Sequence, residues 1–363
     1  MDHFQDKQEE RTRDLQETDA RSALIDWVNG HVDEWEDERD KNYKDIWDQV
    51  DLKFNCTDAN TLITHQKGFA RSTLCAPALQ QAVEDGAADC EEVVFGKEGW
   101  FDISDNPDGD RTDFQLTRIK LLSDMEDADV NGALLECFFY GSLYGTMLGK
   151  IVSEENTDRV IEQDIDGAAE EEQEKFIQVK LEPISPRNFI IDTGVNRPGK
   201  AGIEMALGMA HRLPQPKHKI IALQNDEIIL SSGKKIKSTY WLTPLNETPD
   251  LSDNDNIDLS SETVMITEYH GLVPSALLNA AIRDENKAPE EIDTADMVES
   301  VVTYADAEHL LMARENTNLK RKRDFVSCPW DIIPGKFWGR GTGEKALPSQ
   351  KALDIFLRGQ VDA

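Results

Sequence analysis

The sequence predicts an α+β protein, and three observations carry that reading. Apolar residues recur at helical spacing from Ala23 to about Gly145, alternate in short runs from Thr146 onwards, and return to helical spacing behind Gly339, Gly341 and Gly343. The 363 residues suffice for two or three packed units, with hydrophobic residues at 39%. The order divides the chain into a flexible N-terminus (1–22), a helical part (23–145), a β-rich domain with acidic loops (146–336), and a glycine loop opening a helix (337–363). No internal repeat is visible.

Taken in order, Leu24, Trp27, Val28, Val32, Trp35, Tyr43 and Trp47 predict a long amphipathic helix, or two, from Ala23 to about Asp51. A second helix is expected over 77–92, with Leu79, Val83 and Ala87 on one face, and a strand-like segment with a glycine turn over 93–104. The stretch 114–146 carries Leu116, Ile119, Leu122 and Met125, then Leu134, Leu135, Phe138, Phe139 and Leu143. It predicts two helices, or one broken near Asn131-Gly132. Short β runs follow at 146–153, 176–184, 188–194, 204–213, 219–233, 239–244, 263–273 and 297–317. Between the first two lies Ser153 to Lys175, with ten acidic and two basic residues, which reads as an exposed, mobile hairpin loop. The stretches 245–261 and 283–296 read as similar acidic loops.

A formal net charge of −32 argues against a protein that grips nucleic acid with its whole surface, because phosphate binding runs on Lys and Arg. It permits contact with DNA on a small basic strip, and it suits a high-salt environment. The one dense basic run, Lys320, Arg321, Lys322 and Arg323, is a candidate contact for DNA or an acidic partner; a solvated strand edge is the plainer alternative. Cys56, Cys75, Cys90, Cys137 and Cys328 form no CxxC pair and read as reduced thiols, buried and apolar for the most part. The polar N-terminus has no signal-peptide core. The longest apolar stretch, 133–149, is too short and glycine-rich for a membrane span, so no membrane partner is expected.

The segment "FWGRGTGEKALPSQKALD" (337–354) lacks the Gly-Lys-Ser/Thr of a phosphate loop, its glycines are spaced G-x-G-x-G, and Glu344 stands where an anion would approach. The plainer reading has glycines tolerating positive φ or close backbone approach, Thr342 as N-cap, Glu344 at the positive helix end, and Pro348 in the first turn or just after it. Leu347, Gln350, Leu353 and Phe356 or Leu357 would share a face. The Asp-rich turn at 105–113 lacks the closing Glu of an EF-hand. No HExxH and no G-x-S-x-G occurs. No catalytic residue, metal ligand or cofactor is assigned.

Several segments together resemble the portal, or head-to-tail connector, proteins of tailed bacteriophages, especially short-tailed ones. The segment "CPWDIIPGKFWGRGTGEKALPSQKALD" is similar to that family's glycine-led helix, with Pro334, Gly339, Arg340, Gly341, Glu344, Gln350 and Leu353 at the motif positions. Residues 70–103 resemble the family's early helix-then-strand passage, "GALLECFFYGSLYGTMLGKIV" its helix that ends in glycine and turns into a strand, and "VKLEPISPRNFIIDTG" its next strand pair. The resemblance spans about 70–360 in order. It implies a portal-like subunit whose residues 23–145 are a helical wing part. It also implies a ring, usually of twelve identical subunits, at one capsid vertex of a virion, assembled in the host cytoplasm. Double-stranded DNA would be packaged, retained and ejected through it, with the major capsid protein, tail or adaptor proteins and the packaging terminase as partners, and no enzymatic activity of its own. Portal proteins normally continue past this helix, so the end at Ala363 implies a truncated or split portal, or its wing part alone. The competing readings are a metal-dependent phosphate-processing enzyme and another virion structural or adaptor protein.

Overall fold

A computed structural model describes residues 20–56, 74–96, 111–163, 169–217, 220, 227–229, 235–237, 263–283, 295–318 and 322–361. In chain order these form α1 (Ala20–Arg39), a π-helical turn (Asp40–Lys44), α2 (Asp45–Phe54), α3 (Ala78–Phe95), α4 (Arg111–Asp127), α5 (Val130–Tyr144), β1 (Thr146–Gln163), β2 (Ala169–Pro183), β3 (Phe189–Ile191), α6 (Gly199–Met205), β4 (Gly208–Pro216), β5 (Glu227–Ile229), β6 (Lys235–Lys237), β7 (Thr263–Pro274), α7 (Ser275–Ile282), β8 (Met297–Ala305), β9 (His309–Glu315), β10 (Phe325–Pro329) and α8 (Thr342–Val361). The protein is α+β, with helices first, then sheet, then the C-terminal helix. The chain divides into two compact units, each assembled from three separate stretches.

Unit 1 falls within Met1–Asn42, Arg187–Val195 and Glu204–Arg323. Its centre is an antiparallel five-stranded sheet in the order β3-β4-β7-β8-β9. Leu24, Val28, Val32 and Trp35 recur at helical spacing on α1 and are all buried, packing with Leu277 and Leu278 of α7 against Tyr269 and Val302 of the sheet. A second cluster joins Ala305 and Leu311 to Ile220 and Val264. Unbroken burial of β8 from Glu299 to Ala305 follows from its position between β7 and β9. Charged side chains fasten α1 to the sheet. Arg212 of β4 donates to Glu36, Asp33 and Asn29, and Arg39 donates to the carbonyls of Arg187 at 2.8 Å and Phe189 at 2.9 Å.

Unit 2 falls within Tyr43–Pro186, Asn196–Ile203 and Asp324–Ala363. Helices α2, α3, α5 and α8 enclose Val50, Leu79, Val83, Leu143 and Leu347. A three-stranded antiparallel sheet, β10-β1-β2, continues from α5, which ends at Gly145 with φ +98°.

Several expectations need correction. The helix expected from Ala23 to Asp51 is helical throughout, but a π-helical turn at Asp40–Lys44 resets its register, and the division between the units falls within that turn. Val93 to Phe95 lie in α3 rather than a strand, Gly96 closing the helix by its N–H to Glu92 O; residues 97–104 lie outside the described residues. The break between α4 and α5 falls at Ala128–Asp129, where Asp129 adopts φ +50° and its carboxylate accepts the Gly132 N–H. The apolar stripe of α4 is not covered as its spacing suggests: Leu116 and Ile119 are exposed. The run at 297–317 is a hairpin, turned at Asp306–Glu308 with Asp306 and Ala307 at positive φ. Helices α6 and α7 went unpredicted. Among the described residues, no helix is long and apolar enough to cross a membrane. Of the cysteines, only Cys137 is buried; the others are half-buried or, at Cys328, exposed, against the expectation of mostly buried thiols. The stretches 105–110, 239–244 and 245–261 lie outside the described residues.

The largest correction concerns the acidic stretch 153–175. Its described residues form a paired ribbon, with β1 and β2 in register from Gly149↔Pro183 to Gln163↔Ala169, and 164–168 lie outside the described residues. Strand pairing replaces the expected loop over 153–163 and 169–175 although the charges are unbalanced. The register sets Asp158 opposite Glu174 and Glu162 opposite Glu170, and directly opposed like charges weaken a strand pair. Salt should therefore strengthen the ribbon. Amide exchange over 154–163 and 169–177 is expected to slow as ionic strength rises from about 0.01 M to 1 M, over which the screening length falls from about 30 Å to 3 Å; exchange that quickens with salt would contradict this.

Candidate functional site

The candidate site is the glycine segment and the start of α8, together with what they touch in unit 2. Strand β10 ends at Pro329, and the Trp330 N–H reaches Gly145 O at 2.8 Å. A loop then runs from Asp331 to Arg340, closed by a bridge between those two residues. Pro334 occupies its exposed turn, followed by Gly335 at φ +77°, the one loop position that needs the left-handed region. Phe337 and Trp338 turn inward, and Trp338 packs edge-on against Trp47 with ring centroids 5.5 Å apart.

The alternate glycines serve close approach. Gly339, Gly341 and Gly343 are not at positive φ, so that half of the expectation is corrected. A Cβ on Gly339 would lie 2.3 Å from Gly145 O, one on Gly341 2.6 Å from Ser142 O, and one on Gly343 2.7 Å from Leu143 O. The last turn of α5 therefore presents its carbonyls to the first turn of α8. The negative end of one helix dipole meets the positive end of another, in the place a phosphate would need. Gly339 N–H also donates to Thr146 Oγ1 at 2.9 Å.

The charged residues at the helix entrance have nearby partners. Lys345 pairs with Asp331, and Arg340 Nε donates to Glu344 Oε1 at 3.1 Å. Glu344 lies in the first turn as expected. Gly341 rather than Thr342 is the cap, because Lys345 N–H reaches Gly341 O and α8 begins at Thr342. Pro348 sits inside the helix, past its first turn. The buried face is Gly343, Leu347, Gln350 and Asp354; Leu353 is half-buried and Phe356 exposed.

Gln350 is the motif residue with the most specific contacts. Its Oε1 accepts the Leu79 N–H at 3.0 Å, and its Nε2 donates to Ala76 O at 2.6 Å and Asp354 Oδ1 at 2.8 Å. It thereby satisfies an orphan donor at the start of α3. Asp354, which sequence reasoning missed, accepts from Lys53 Nζ at 2.7 Å and from the Ala76 N–H at 3.3 Å. Burial alone would raise its carboxyl; the hydrogen bonds and charge of Lys53 and the Ala76 N–H outweigh that and hold it below the usual carboxylate value. A lone Asp on a helix face with Leu347 and Gln350 carries no signal until its partner, Lys53, is known.

The basic run lies in unit 1 and is a different arrangement. Lys320 and Arg321 lie outside the described residues. Lys322 is exposed, and its carbonyl accepts from Asn316 and Asn318. Arg323 is buried against Glu299, donating at 2.7 Å and 3.1 Å, and also donates to Ala206 O and Leu207 O. Its guanidinium is a structural tie, so the expected strip of four cations is reduced at that position. Among the described residues no cluster of His, Cys, Asp and Glu could hold a metal ion.

Two outcomes test this account. Gly339→Val and Gly341→Val force side-chain atoms onto carbonyls and should destabilise unit 2 by about 3 kcal/mol or more, whereas Lys345→Ala, removing a half-exposed ion pair, should change stability by about 1 kcal/mol or less in denaturant melts. Because the Asp354 carboxyl is depressed, its stabilisation is present above the unfolded carboxylate value near pH 4 and lost as pH falls through the lower folded value. Asp354→Asn should be less stable at neutral pH and decline less than the parent between about pH 5 and pH 2.

Compared with known proteins, the chain matches no family model, and no curated sequence is significantly similar to it.

Proposed function

We propose that the chain is a portal subunit: one member of a closed ring at a capsid vertex, through which double-stranded DNA enters, is retained and leaves. The observation that carries this reading is the convergence of three of the segments on which the resemblance rests. Residues 76–83, 142–146 and 328–354 are far apart in sequence, yet they meet in unit 2 through Gly145, Gly339 and Gly341 and through Gln350 at the start of α3. Motifs similar to a family's in the same order are better supported when they interlock in space. The glycine segment then works as a joint between helices, and the ring acts as a conduit without chemistry of its own.

Acidity fits this role physically. A channel that held phosphates tightly would stall DNA, and weak or repulsive contact lets it slide. The capsid protein, tail or adaptor proteins and the packaging terminase follow as partners from the same reading.

Ring closure demands that one face of each subunit match a different face of its neighbour. Each subunit carries a formal charge of −32, so association works against repulsion that salt relieves. Light scattering and electron microscopy of the purified chain across a salt series should show rings that strengthen as salt rises. Rings that dissolve with added salt would contradict the electrostatic argument, and a monomer at every salt concentration, also with capsid protein present, would overturn the assignment.

A further inference from the structure

We propose that the outer face of α8 is an interaction surface whose occupant is a second copy of this chain, docked through the outer face of its α3. Helix α8 carries three cations, Lys345, Lys351 and Arg358, against two carboxylates, Glu344 and Asp354. Among the described residues no other α-helix has more cations than carboxylates. Both carboxylates of α8 are matched within the same copy: Asp354 is buried against Lys53, and Glu344 accepts from Arg340. Lys351 is exposed, and its Nζ donates to the uncharged Gln49. Arg358 donates to another neutral acceptor, Leu74 O, at 2.8 Å. The side turned away from Leu347, Gln350 and Asp354 is also apolar. Ile355 is 73% exposed and Phe356 61%, with Ala352 exposed one turn before them. Apolar side chains exposed singly are ordinary; an adjacent pair flanked by cations has the make-up of an interface, an apolar anchor with a charged rim.

Such a surface takes an acidic partner, and the chain itself supplies one. Helix α3 holds Glu84, Asp85, Asp89, Glu91 and Glu92, all exposed, and no cation. Asp85, Ala88 and Glu92 follow the helical repeat along the side away from the buried Leu79 and Val83. Within one copy α3 and α8 meet through their inner sides, at Leu79, Val83, Leu347 and Gln350, and both outer sides stay exposed. The inference rests on the portal reading, in which one face of each subunit must match a different face of the next. Burial of Ile355 and Phe356 supplies the hold, and the cations select the acidic face and its register. These few local pairs do not reverse the salt dependence of the whole chain, because a net charge of −32 on each copy still repels the next.

The test mixes ordinary and isotopically heavy full-length chain across the salt series, joins them with a zero-length carbodiimide cross-linker, and maps the peptides by mass spectrometry. Expected are peptides joining Lys351 to a carboxylate of α3 with one half light and the other heavy, which marks them as formed between copies. Phe356→Asp, at an exposed position, should keep the parent melting point and weaken association about tenfold or more in light scattering. Lys351→Glu should weaken it less, and Asp85→Lys with Glu92→Lys in the same chain should restore it. Assemblies whose cross-links between copies join other surfaces, or that form equally well with Phe356→Asp, overturn this contact and leave the ring reading standing. So does α8 cross-linked to added capsid protein in place of a second copy. Closed two-fold dimers held by the α8–α3 contact support the contact and overturn the ring reading. A chain that is monomeric at every salt concentration overturns both.

Discussion

Backbone touches backbone where Gly145 meets Gly339 and Gly341, with no side chain between them, and unit 2 is organised around that contact. It brings the C-terminal turn of α5 against the N-terminal turn of α8, so opposite ends of two helix dipoles face each other and the carbonyls of Ser142 and Leu143 lie over the α8 entrance. With the helices held this close, Leu143 and Leu347 share a core with Val50, Leu79 and Val83. The same placement lets Gln350 and Asp354, one and two turns further along, reach the start of α3 and Lys53 of α2. Any β-carbon at the joint would push these contacts apart together.

Charge is distributed by a second constraint. With 71 acidic against 39 basic residues, the chain places several of its scarce cations inside. Arg39 and Arg212 tie α1 to the sheet of unit 1, Arg323 pairs with Glu299, and Lys53 pairs with Asp354. A buried carboxylate left alone is costly, so each of these cations is held by its partner as firmly as it holds it. The sequence is left with an excess of carboxylates, most plainly over residues 153–175. This is why screening enters both the local account of the ribbon and the account of assembly.

The two constraints bear on function from different sides. A helix entrance closed by carbonyls and a lysine paired to Asp331 make a joint between helices. An acidic exterior gives DNA little to adhere to. Under the proposed portal reading, both properties would serve one role.

Much of the local structure was legible in the sequence, because periodicity reports which face of an element is apolar. Leu24, Val28, Val32 and Trp35 declare α1, the β runs at 146–153 and 263–273 fall on strands, and those at 188–194 and 204–213 do so in part, at 189–191 and 208–213. Glu344 behind the glycines announced the start of a helix. Tertiary structure alone decided the rest. The acidic ribbon pairs because its register is propagated from Gly149↔Pro183, a long-range relation to which composition is blind. The π-turn at Asp40–Lys44 leaves no signature, since it alters hydrogen-bond spacing without altering residue type. Arg323 looked like one of four exposed cations, but Glu299 lies 24 residues away and only the packing of unit 1 brings them together. The roles of Asp354 and Gln350 likewise rest on partners about 270 to 300 residues distant in sequence, and a polar residue on a helix face acquires a function only when folding supplies its partner.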